Sequence, residues 1–190
     1  HSDPRVKRTR KLLQEAFMEL FMEKGFSSIS IQDITDRATV NRATFYAHFS
    51  DKYALLDSVT REGFRKHVAE RLPVKPTWDQ QSLHALVGAV FDFLGMLHHE
   101  CKPSDAQFDP MMEQAVQQEI AEILLGWFRQ PRIVNMRRVQ GETVAAVISW
   151  SIFGTAAQWS RSERKLTMDE MINQVLQVIT EGAAHLVGPL

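Results

Sequence analysis

Cysteine is almost missing from this chain of 190 residues, and Cys101 stands alone. One thiol closes no intrachain disulfide, so stability must come from a packed core, and a reducing cytoplasm is the expected setting. No signal segment is visible at the start, which reads His1-Ser2 without a methionine. Net charge is also missing, at −1 for the whole chain. A polybasic wrap around nucleic acid is thereby excluded as a global property. Long apolar runs are scarce. Residues 143–160 carry no charge, but Thr143, Ser149, Ser151, Thr155, Gln158 and Ser160 interrupt them. A buried helix fits that stretch better than a membrane span, so no membrane partner is expected.

Catalytic signatures are absent too. There is no glycine-rich phosphate loop, no metal quartet and no nucleophile beside a visible base. No enzyme activity, cofactor or metal is expected. His98-His99-Glu100-Cys101 offers ligand types. Adjacent helical residues point about 100° apart, so the four cannot converge on one ion. Only His98 and Cys101 share a side, and a tetrahedral site needs more ligands.

What is present is ordinary globular material, 44% hydrophobic and 24% charged, long enough for a substantial core. Charge is unevenly placed. Residues 1–72 hold 13 Lys and Arg against 10 Asp and Glu, and the remainder holds 9 against 13. The first part is net basic and the second net acidic, so any nucleic-acid contact belongs to the first.

The most informative stretch is 31–52. Its pattern predicts a short helix from Ile31 to Ala38, a turn at Thr39-Val40-Asn41, and a second helix from Arg42 to Phe49. Two short helices joined this way form a helix-turn-helix, whose second helix can enter the DNA major groove. Ser30 is spaced to cap the first helix with Asp33 as its reciprocal partner. Asn41 can cap the second helix and Ser50 the next. Ala43, Phe45 and Phe49 can face inward, leaving Arg42, Thr44, Tyr46, Ala47 and His48 for a partner.

The run Ala38-Thr39-Val40-Asn41-Arg42-Ala43-Thr44-Phe45-Tyr46-Ala47-His48-Phe49-Ser50-Asp51-Lys52, followed by Leu55-Leu56, resembles the recognition segment of the TetR/AcrR family of bacterial repressors. That family typically shows A-G-V-S-x-G-T-x-Y-x-H-F-x-x-K there. Thr39 stands in place of the usual turn glycine, and a β-branched residue is expected to avoid positive φ. Ala43 stands where glycine or proline is common. The resemblance covers about fifty residues. It implies a homodimeric, one-component regulator that represses transcription on operator DNA and is released by a small-molecule effector bound in the C-terminal part.

The expected DNA-contacting set is Ser30, Gln32, Arg42, Ala43, Thr44, Tyr46, Ala47, His48 and Lys52. Arg42 and Thr44 would meet base edges or nearby phosphates, arginine pairing two donors with guanine. Ala47 suits a thymine methyl. Ser30 and Gln32 lie at a helix start, where backbone N–H groups favour phosphate. Tyr46, His48 and Lys52 match family positions that grip the DNA backbone. Arg5, Lys7 and Arg8, early in a helix over 4–24 that ends at Gly25, can add phosphate contacts or form a solvated helix start.

Further helices are expected over 51–72, 79–101, 109–129, 142–160 and 168–186, with a plain connector at 102–109 and an ambiguous stretch at 132–141. The fold class is therefore all-α: a three-helix head over 1–50 and a helical effector-binding and dimerisation domain over 51–190. Effector candidates are Phe91, Asp92, Met111, Met112, Trp127 and Trp150. Phe91, Met111, Met112 and Trp127 are the apolar and adaptable ones, and Asp92 is a polar anchor. The 142–160 helix is apolar on nearly every side, so one face needs a second surface. With 168–186 it is expected to build a two-fold four-helix interface. The competing reading is a helical small-molecule-binding or protein-interaction module whose head no longer reads DNA.

Overall fold

A computed structural model describes residues 3–100, 103–130, 138–162 and 166–187. All the regular structure among them is helical. Eight α-helices follow in order: α1 Pro4–Lys24, α2 Ile31–Ala38, α3 Arg42–His48, α4 Lys52–Ala69, α5 Gln80–Glu100, α6 Asp109–Phe128, α7 Arg138–Arg161 and α8 Met168–Val187. Short 3-10 segments occupy Phe26–Ser28 and Pro103–Phe108. The 102–109 connector is thus partly ordered as a helix, and Gly141, expected just before α7, lies inside it. Cys101 and residues 131–137 lie outside the described residues.

The chain forms two compact units. The first, the head, runs from the start to Glu62 and includes 103–112. The second, the body, runs from Gly63 to Glu100 and from Glu113 onward. Both α4 and α6 begin in the head and continue into the body.

In the head, α1 is entered through Asp3, whose carboxylate accepts from the Arg5 N–H, with Pro4 in the first turn. Proline costs little there because its missing N–H has no helical acceptor anyway. Gly25 ends the helix at φ 77, a backbone that favours glycine. Leu13, Phe17, Leu20, Phe26, Ile34, Phe45, Phe49 and Leu55 are buried together with Ala16 and Ala38. Arg37 on α2 pairs with Glu19 at 3.0 Å and Glu23 at 2.8 Å on α1, fixing the two helices side by side.

Two local expectations need correction. Thr39 does adopt the left-handed conformation, at φ 56 and ψ 45. Its N–H closes on Asp36 and Thr35 carbonyls, and the Val40 N–H closes on Thr35 O at 3.0 Å. These bonds satisfy the carbonyls at the end of α2, and the sharp reversal toward α3 demands this backbone whatever residue stands there. The second concerns the start of α4. Asp51, not Ser50, caps it, accepting from the Ala54 N–H at 2.8 Å. Helix start and cap fall one residue later than the spacing suggested.

The strained threonine yields a test. Its side chain is exposed, so glycine removes strain without opening a void. A left-handed L-residue costs about 1–2 kcal/mol, and glycine's extra unfolded-state freedom returns part of that. Thr39→Gly should therefore raise head stability by up to about 1 kcal/mol. A rise in the midpoint of denaturant unfolding followed by circular dichroism supports this, and a fall contradicts it.

In the body, α5 packs against α7 and α8. Leu83, Leu86, Val90, Phe91 and Leu94 of α5 join Ile148, Ile152 and Ala156 of α7 and Ile172, Val175 and Ile179 of α8 in one core. Helix α6 adds Val116, Ile120, Leu124 and Trp127. Arg65 makes a two-pronged pair with the buried Glu119, at 2.5 and 2.7 Å. His98 lies between Ser160 at 2.6 Å and Glu113 at 2.8 Å, and Glu113 also accepts from Arg161. That histidine thus joins three helices of the body. No described helix is long and apolar enough to cross a membrane.

Candidate nucleic-acid interface

The helix-turn-helix unit is assembled from caps and two aromatic anchors. Ser30 Oγ accepts from the Asp33 N–H while Asp33 accepts from the Ser30 N–H, so the capping box at the start of α2 is complete. Asn41 Oδ1 accepts from the Thr44 N–H at 2.7 Å and from Thr44 Oγ1 at 3.0 Å, starting α3. Phe45 is fully buried and Phe49 nearly so, which leaves the other side of α3 free. Arg42, Ala43, Tyr46 and Ala47 are exposed, and Thr44 and His48 are half-buried. Ala43, read as able to face inward, is exposed, because only Phe45 and Phe49 reach the core from this short helix.

The exposed face is polar and basic. The Arg42 guanidinium donates to the Tyr46 hydroxyl at 3.5 Å, one helical turn away. Ser30 and Gln32 are exposed at the start of α2, and Gln32 donates to Asp36 at 2.6 Å. Arg5, Lys7 and Arg8 on α1 are exposed as well. Lys52 is placed differently. Its ammonium donates to Phe26 O at 3.2 Å and Ile29 O at 2.9 Å and sits 4.6 Å from the Phe26 ring centre. Burial pushes its pKa down, with Asp105 opposing. An ammonium carries three N–H donors, and these two bonds engage two of them.

One residue of this unit was not singled out from sequence. Arg10 lies on α1, just after the basic run Arg5, Lys7 and Arg8. Its guanidinium donates to His48 O, at the end of α3, at 3.3 Å and to Ser58 Oγ on α4 at 2.8 Å, and it stacks 4.3 Å over Phe49. It therefore ties three helices around the end of α3. Sequence offers no signal for this, since the contacts span 38 and 48 positions.

The cap at Asp33 carries a pH dependence. Ser30 Oγ–H, the Ser30 N–H and the Lys24 ammonium at 3.0 Å hold the Asp33 carboxyl at about 2, below its ordinary 3.8. A lowered folded value stabilises the fold above the unfolded pKa, and the gain is lost as pH falls toward the folded one. Head stability should accordingly drop between about pH 4 and pH 2. Ser30→Ala should flatten that part of the profile, as read from melts at stepped pH. An identical slope in the variant would exclude the capping box as the cause.

The six effector candidates are dispersed. Phe91 and Trp127 are buried in the body core, with the Phe91 ring tilted against Trp159 at 5.6 Å between centres. Asp92 is half-exposed and pairs with Arg71, and its Oδ2 lies 3.3 Å from His67 Nε2 without hydrogen-bond alignment. Burial, with Arg71 next, pushes the His67 pKa down. Met112 is buried and Met111 half-buried, but both belong to the head unit. Trp150 points outward, 57% exposed. None of the six lines a cleft of about 290 Å³ between α5 and α8, which is bordered by Gln80, His84, Asn173, Gln177 and Thr180 over Leu83 and Leu176.

A short capped helix pair with one face free is the helix-turn-helix arrangement, and here an all-helical body follows it. Residues 13–59 match the profile of the bacterial regulatory proteins of the tetR family. The chain is 45% identical over 58 residues to the HTH-type transcriptional regulator YxbF of Bacillus subtilis, covering 30% of this chain and 15% of that one. It is 36% identical over 93 residues to the HTH-type transcriptional activator FasR of Mycolicibacterium smegmatis, covering 48% and 42%. The chain spans less than half the length of the curated relatives it matches. In fold it is similar to RolR, solved with resorcinol, at a TM-score of 0.58 and 17% identity over 92% of this chain and 88% of that one. Residues 13–59 thus carry the helix-turn-helix domain of the tetR family of bacterial regulatory proteins, and the helical body is similar in fold to that of solved regulators.

Proposed function

We propose that this protein is a transcriptional repressor that binds operator DNA as a homodimer and leaves it when a small molecule binds the body. The observation that carries DNA binding is the face of α3, where Arg42, Ala43, Tyr46 and Ala47 are free while Phe45 and Phe49 anchor the helix. Arg42 and Thr44 read base edges, and Ala47 packs on a thymine methyl. Ala43 lies on the same face, at the start of the helix. Tyr46, His48 and the third donor of Lys52 grip phosphates, with Ser30 and Gln32 at the start of α2. Arg5, Lys7 and Arg8 extend that contact.

Dimerisation is supported by the outward faces of α7 and α8, where Val147, Trp150 and Val178 are exposed. Two heads must match two half-sites one helical turn apart. An effector that favours another head separation binds that state more tightly, and DNA and effector then oppose each other by linkage. Helix α4 is the lever, since it belongs to both units. RolR was solved with a small aromatic ligand, which supports an effector of that size for this chain. Phe91 and Trp127, packed in the body core, and Asp92 would receive it only in a state of the body that opens that core.

The test is binding to duplexes that the protein selects from a random library, measured at several salt concentrations. Affinity should fall steeply with salt, as phosphate contacts release counterions. Arg42→Ala should cost about 1–3 kcal/mol and relax the preference at one base pair. Failure to select any duplex favours the protein-interaction reading instead.

A further inference from the structure

The stretch between α5 and α6 folds as part of the head, and one side chain in it has no role in the reading above. Asp105 is 1% exposed. Its carboxylate accepts from the Phe26 N–H at 2.7 Å, the Ser27 N–H at 2.9 Å and Ser27 Oγ at 2.6 Å. These donors open the 3-10 segment that joins α1 to α2, and backbone N–H groups at such a start have no helical acceptor. On the acceptor side of the same segment, Lys52 donates to Phe26 O and Ile29 O. The α1–α2 junction is therefore held between an anion on its donors and a cation on its carbonyls. Ser30, the cap of α2, follows immediately. Phe108, three residues past Asp105, meets the Phe26 ring edge-on at 4.4 Å and lies 5.9 Å from Tyr53.

We propose that Asp105 is a positioning residue for DNA recognition, supplied by the body's own connector, which sets the junction from which α2 and α3 are presented. The proposal rests on the DNA-binding reading. It also gives the body a second route to the head. Helix α6 starts four residues after Asp105 and runs on to Phe128, in the body core.

The sign of one substitution separates positioning from simple electrostatics. Asp105→Asn removes a negative charge, so charge alone would tighten binding to DNA. Positioning predicts the reverse, because an amide N–H₂ then faces donors that need an acceptor. The full chain and Asp105→Asn are compared on a duplex selected by the wild type. Binding should weaken about tenfold or more, as expected for losing a hydrogen bond to a charged group. The amides of Phe26 and Ser27 should exchange faster with solvent. All four tryptophans, at 78, 127, 150 and 159, lie in the body, so melting followed by their emission should not change. Ser27→Ala removes the hydroxyl donor and should weaken binding in the same direction by less, and it decides the matter if Asp105→Asn does not fold. Equal or tighter binding by Asp105→Asn, or amides 26 and 27 as protected as before, overturns the proposal while leaving DNA binding standing. A wild-type protein that selects no duplex overturns the DNA-binding reading and this proposal with it.

Discussion

Replacing Trp150 with glutamate should convert the protein to a monomer and remove tight DNA binding, with its helices intact. Trp150 is 57% exposed on α7, edge-on to Phe153 at 5.7 Å, beside Val147 at 62% on the same helix. Val178 on α8 is 71% exposed. A tryptophan buries about 150–250 Å² when covered, and a two-fold interface counts each substitution twice. In the proposed dimer each subunit would then carry a carboxylate into a desolvated patch, which is strongly unfavourable. Losing the second head removes the gain from simultaneous half-site binding, about 10²–10⁴ in affinity. Light scattering behind size exclusion reads the mass, and the salt-dependent DNA assay reads the affinity. A variant that stays dimeric would show that the paired subunit does not sit on this face.

Phe45→Ala should unfold the head and spare the body. Phe45 is fully buried, 6.0 Å from the Phe49 ring and 5.5 Å from Tyr46. Removing such a ring costs about 3–5 kcal/mol through lost transfer energy and the void left behind. Helix α3 has seven residues and Phe45 is the one buried among them, so its ring is the main apolar hold within the helix itself. Isolated helices that short are not stable in water. Because no tryptophan lies in the head, emission melts should stay near wild type while circular dichroism shows an earlier loss of helix. Coincident transitions by both probes would mean that head and body unfold as one unit. DNA binding should vanish in either case.

The contrast between Phe45 and Arg10 explains what could be read in advance. The role of Phe45 follows from helical spacing and hydrophobicity, both local. So do the caps at Ser30 and Asn41, which involve residues three apart. Arg10 and Asp105 were legible only as residue types. Their partners lie from 38 to 79 positions away, and one sequence carries no signal for such pairings. Thr39 misled for a related reason. Its own preference argues against a left-handed backbone, yet the closing hydrogen bonds of α2 and the path to α3 outweigh it. The effector candidates show the limit most clearly. Phe91 and Trp150 are both large aromatics on apolar stretches, but one is fully buried and the other 57% exposed.

Local order, then, was written in the residues: the all-helical class, the helix-turn-helix, most of its caps and the outward face of α3. Those features depend on interactions between neighbours a turn or less apart, so spacing and residue chemistry suffice. Tertiary structure alone assigned the connector at 103–108 to the head, clamped the α1–α2 junction between Asp105 and Lys52, and divided α7 into buried and open faces. These depend on which distant surfaces meet, and that is set by the packing of the whole core rather than by any segment of it.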